Sequence, residues 1–82
     1  MVFLAFTGNG LEQALSLYPR HASAIWCSAD AISAEEYRSR KLAGVTRFLY
    51  TPGAPESQSI VEALDAIEQH HPGETIWVEA AP

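Results

Sequence analysis

Four short apolar runs, Val2-Phe6, Ala24-Cys27, Phe48-Tyr50 and Ile76-Val78, recur along 82 residues, each separated from the next by a helix-like segment. Strands spaced in this way almost always lie parallel in one sheet, because a parallel neighbour is reached only through a crossover long enough to hold a helix. The rhythm predicts a small βαβαβαβ domain with a four-stranded parallel sheet, in three layers or two. The loops leaving the carboxyl ends of such strands converge on one edge, where ligands bind in open α/β sheets.

The local signals fill in this frame. Val2-Phe6 shows no polar alternation, as expected of a strand covered on both faces. It stops at the turn-forming cluster Thr7-Gly8-Asn9-Gly10. Leu11, Ala14, Leu15 and Tyr18 then follow helical spacing, and Pro19 ends that helix. After the second strand, Ser33-Ala34-Glu35-Glu36 has the pattern of a capping box. The helix it opens is expected to run to about Ala43, with Gly44 as its stop and only Tyr37 and Leu42 as large apolar groups. The third strand is read as Val45-Tyr50, and Arg47 among its apolar neighbours implies an unsealed side or a place near a strand end. Thr51-Pro52-Gly53-Ala54-Pro55 is a loop. Ile60, Val61, Leu64 and Ile67 stripe a third helix, and Thr75-Glu79 alternates as an edge strand should.

Strand order decides which face each helix covers, because parallel crossovers are right-handed in about 98% of cases. The flavodoxin-like order 2-1-3-4 keeps the apolar first strand interior and is favoured over 1-2-3-4. It sets helix 1 alone on one face and leaves that face bare beside strands 3 and 4. Parallel sheets are nearly always covered on both sides, so a further cover is expected, and a second copy of the chain is the simplest. Trp77, Phe48 and Tyr50 are the candidate interface residues, whereas Trp26 reads as core.

Composition narrows the partners. A single domain of this size buries roughly 60% of the surface of its unfolded chain. The net charge of −5 argues against nucleic acid, which calls for a basic face. Four of the five Lys and Arg residues (Arg38, Arg40, Lys41, Arg47) fall within ten positions, whereas positions 51–82 hold six acids and no Lys or Arg. Such segregation fits two solvated faces of opposite sign, or complementary patches that meet in a homodimer or with a protein partner. No apolar stretch reaches the ~20 residues of a membrane span. The first apolar run has no basic segment before it, which is unlike a signal peptide, and Cys27 has no second cysteine to pair with. A cytoplasmic protein that does not engage membranes is expected.

Catalytic signals are thin. Gly8 and Gly10 begin a dinucleotide fingerprint, but position 13 is Gln, and no Gly-Lys-Ser/Thr occurs. A phosphatase-like loop from Cys27 would need Arg where Ser33 stands. His21, His70 and His71 fall at the edge opposite the converging loops, and no metal site is assigned to them. Thr7, Gly8, Asn9, Gly10, Ser28, Asp30 and Thr51, with Glu79, give the loop edge a polar rim able to hold a small polar or anionic ligand, yet no nucleophile is paired with a base. The reading is therefore a non-enzymatic interaction or homodimerising module with no cofactor. The alternative is a small-ligand binder or minimal enzyme using the loops after strands 1–3.

Overall fold

The computed structural model describes residues 1–18, 20, 22–42, 44–49 and 58–79. Its elements alternate in the order the apolar runs imply: β1 (Val2–Ala5), α1 (Gly8–Leu17), β2 (Ala24–Cys27), α2 (Ala34–Arg40), β3 (Val45–Arg47), α3 (Gln58–His70) and β4 (Ile76–Val78). All four strands are parallel, in the order β3-β2-β1-β4. The radius of gyration, 11.6 Å, matches the roughly 12 Å of a compact chain of this length.

This order corrects the flavodoxin-like expectation. β3 pairs beside β2, not beside β1, with Val45 opposite Ile25 and Arg47 opposite Cys27. Every residue of β2 is buried, whereas Thr46 of β3 is exposed, so β2 takes the interior place and β3 the edge. The β1→β2 and β2→β3 crossovers then run the same way along the sheet and set α1 and α2 on one face. The chain must return past β2 and β1 to reach β4, and α3 makes that return over the other face.

Helices thereby lie on both faces, but the cover stops short of β4, where Trp77 is 55% exposed, in line with the expectation that three helices leave part of the sheet bare. Leu11 and Ala14 of α1 pack with Ala5, Ile25, Cys27, Ala31, Ile32 and Val45 on one side. Ile60, Ala63 and Ile67 of α3 pack with Val2, Leu4, Ala24, Trp26 and Phe48 on the other. The Trp26 indole lies 5.2 Å from the Phe48 ring and 5.4 Å from that of His70.

Helix boundaries follow their caps. α1 begins at Gly8, three residues before the apolar stripe, because the Thr7 hydroxyl accepts from the Gly10 amide at 3.0 Å. Ser33 caps α2 as its sequence pattern predicts, accepting from the Glu36 amide at 3.1 Å. That helix stops earlier than expected, at Lys41 in the left-handed region. Gly44, at φ +72°, instead leads into β3, and the Tyr18 ring lies where a β-carbon would stand. β3 ends at Arg47, although the Phe48 amide still donates to the Cys27 carbonyl at 2.8 Å; Phe48 turns into the core and Leu49 is 91% exposed.

Leu4 is fully buried at the centre of the sheet, and Val61 lies on the outer side of α3. Leu4→Ala is expected to cost about 2–5 kcal/mol of unfolding free energy, and Val61→Ala to stay within about 0.5 kcal/mol. Urea denaturation of both variants checks the difference.

Candidate functional site

In the order β3-β2-β1-β4, the chain leaves β1 toward β2 on one side, and β4 lies on the other. The carboxyl edge between β1 and β4 is thus the switch point at which open α/β sheets form a crevice. Here Thr7 and the first turn of α1 meet Glu79, the residue after β4.

The crevice is filled from within. Glu79 Oε1 accepts from the Phe6 amide at 2.6 Å and the Thr7 amide at 3.0 Å, and Oε2 accepts from the Thr7 hydroxyl at 2.6 Å. The same hydroxyl oxygen caps the Gly10 amide. A β-carbon on Gly10 would overlap the Glu79 carboxylate, so glycine there makes room for it. A carboxylate thus takes the position at the amino end of α1 where unpaired N–H groups and the helix dipole favour an anion. Partial burial pushes the Glu79 carboxyl up. The bonds from the Thr7 hydroxyl and the Phe6 and Thr7 amides outweigh that effect and hold it below the usual carboxylate range.

The other rim residues hold structure together or stand in solvent. The Ser28 hydroxyl is buried and donates to the Phe6 carbonyl at 2.7 Å. Gly8, Asn9 and Asp30 are exposed. Arg47, at the last position of β3, donates from Nε to the Ile32 carbonyl at 2.7 Å and from Nη2 to the Ala29 carbonyl at 3.1 Å. Its place among apolar residues is explained by this edge position, where it ties down the loop between β2 and α2. Burial pushes the Cys27 thiol up to about 11 against a smaller downward pull from Arg47. A thiol so held is a poor nucleophile at neutral pH. Thr51 and Tyr50 lie outside the described residues.

At the opposite end of β4, Glu74 accepts from the Met1 ammonium and from the Ser23 hydroxyl, both at 2.7 Å, with His71 Nδ1 at 3.5 Å. The bonds from the amino terminus and from Ser23 hold its carboxyl below the usual range. His21 lies outside the described residues, and among those described no group of three or more His, Cys, Asp and Glu side chains is arranged to hold a metal ion.

The apolar candidates separate. Phe48 is 8% exposed and belongs to the core, whereas Trp77 is 55% and Val78 39% exposed. Trp77 pairs with Phe3 in register, on the α1–α2 face; Ile76 and Val78 share the α3 face with Val2 and Leu4. Sequence reasoning put Glu79 on the rim without its role. Only the strand order, which brings the end of β4 beside the end of β1, makes it a cap for the Thr7 turn.

Two outcomes check this geometry. Alanine in place of glycine inside a helix normally gains about 1 kcal/mol, yet Gly10→Ala is expected to lower the denaturation midpoint by evicting Glu79. Native protein at neutral pH is expected to leave Cys27 unmodified by a disulfide reagent, with full reaction once denatured; rapid labelling of native protein would contradict the burial. Compared with protein-family models, curated proteins and solved structures, the chain matches none.

Proposed function

We propose that the protein is a non-enzymatic interaction module that works through the outer edge of β4, with a second copy of the chain as its partner. The observation that carries this reading is Trp77, more than half exposed on an edge strand. Tryptophan is enriched among the residues that dominate interface energies. Among the described residues, no strand pairs with the outer side of β4. Edge strands are commonly guarded by lysine, proline or a bulge, and Ile76-Trp77-Val78 holds neither lysine nor proline.

The backbone supports pairing there. The ladder to β1 uses the Thr75 carbonyl and the Glu79 amide, so by the alternation of a parallel ladder the amides of Ile76 and Val78 face away from β1. Two copies related by a two-fold axis normal to the sheet at Trp77 would join antiparallel into one eight-stranded sheet. The two indoles would then be cross-strand neighbours on one face, an arrangement that stabilises antiparallel pairs. The flanking carboxylates of Glu74 and Glu79 are both engaged within their own chain, which lessens repulsion across the joint.

A second reading, a small anion held by the loops after β1, β2 and β3, draws on the amino end of α1, but such a ligand has to displace Glu79. Phosphate-dependent shifts of the Phe6, Thr7 and Gly10 amide resonances would favour it. For the interaction reading, light scattering across a concentration series is expected to give the mass of two chains, and Trp77→Lys to raise the dimer dissociation constant more than tenfold with unchanged circular dichroism. A single-chain mass for the unmodified protein at every concentration, or an undiminished dimer in the variant, overturns it.

A further inference from the structure

The fourth strand is held differently from the two interior strands. Every side chain of β1 and β2 is buried except that of Phe3, which is half-buried beside Trp77. β4 has three ladder residues, of which only Ile76 packs against a core cluster, while Trp77 and Val78 stand largely in solvent. Hydrophobic burial scales with the apolar area removed from water, so little of it fastens β4.

Polar contacts at its two ends take that place. At the carboxyl end, the Glu79 amide donates to the Leu4 carbonyl at 2.9 Å while its carboxylate receives the three bonds from Phe6 and Thr7. At the amino end, the Thr75 carbonyl accepts from the Val2 amide, and Glu74 meets the Met1 ammonium, His71 and the Ser23 hydroxyl. Glu79 faces only uncharged groups among the described residues: the Phe6 and Thr7 amides, the Thr7 hydroxyl and the Gly10 backbone. α3, which leads into β4, has anchors of its own in the fully buried Ile60, Ala63 and Ile67.

We propose that β4 is a releasable strand latched to β1 by the Glu79 carboxylate, and that protonating this carboxylate unfastens β4 while the β3-β2-β1 sheet and its helices stay folded. The latch requires an acceptor that meets three donors at once. A protonated carboxyl brings an O–H of its own into that cluster and gives up acceptor capacity. The direction follows from linkage: a carboxyl held low in the folded state stabilises it fully above the usual carboxylate range and loses that contribution as pH falls through its own depressed value. Glu74, also held low, titrates in the same direction. The device stands whether or not β4 docks a second copy; where it does, acid dissolves that contact by removing the strand that makes it.

Amide hydrogen exchange followed by NMR during acidification tests the proposal, with the Glu79 amide (to Leu4) compared with the Ser28 amide (to Ala5), both 2.9 Å bonds. For a one-proton latch, protection of the Glu79 amide is expected to fall, by up to about tenfold per pH unit, as pH drops from the usual carboxylate range to the depressed titration midpoint of its own carboxyl, and to level off below that midpoint. Ser28 keeps its protection over that interval. In Glu79→Gln the slope is lost, with protection already reduced at neutral pH. The carboxyl midpoint is read directly from the Glu79 side-chain carbon of the unmodified protein, so the test survives a variant that fails to fold. Simultaneous loss at Glu79 and Ser28, a loss that falls outside the interval ending at the carboxyl midpoint, or an unchanged slope in the variant overturns the latch. A phosphate-independent, monomeric protein that still shows the step would contradict the interface reading and leave the latch intact.

Discussion

Parallel pairing on both sides of β1 is the constraint on which the rest of this molecule depends. A strand with neighbours on both sides and helices over both faces can carry no polar side chain, and Val2-Phe3-Leu4-Ala5 carries none. Because β2 and β4 lie on opposite sides of β1, the chain has to step outward through β2 and β3 and then cross back. With right-handed crossovers, that return alone requires helices on both faces. The longest helix, α3 with 13 residues, makes the return.

The same return brings the end of β4 to the end of β1, at the amino terminus of α1. Elsewhere this meeting place serves as a ligand crevice; here the chain supplies its own anion. Thr7 links the two halves of the arrangement, since its hydroxyl donates to Glu79 and accepts from Gly10. One carboxylate thus closes the candidate binding crevice and fastens the strand whose outer edge is the proposed interaction surface. The reading of the protein moves accordingly from the loop edge to the β4 edge.

Much of the fold is legible in the residues. The apolar runs give the number and direction of the strands, and Ser33 with Glu36 announces the start of α2. Strand order was legible too, but by a subtler sign: Ala24-Ile25-Trp26-Cys27 is as unbroken as the first strand, whereas Thr46 and Arg47 mark the third as an edge. Apolar character alone misplaces Phe48, which follows the last residue of β3 and turns its ring into the core on the α3 face. Gly8 and Gly10 read as a turn because glycine is a poor helix former, and a tertiary contact, the carboxylate over Gly10, overrides that preference. Glu79 carries no local signal, because its partners lie more than 70 positions away.

The central claim is that β4 is fastened to the rest of the sheet separately, by polar contacts at its two ends. Native-state hydrogen exchange at neutral pH, repeated at increasing sub-denaturing concentrations of denaturant, addresses this directly, because it separates local openings from global unfolding. The account predicts that the Trp77 and Glu79 amides exchange through an opening of lower free energy and weaker denaturant dependence than that of the Ser28 amide. Identical free energies and slopes for all three would contradict it.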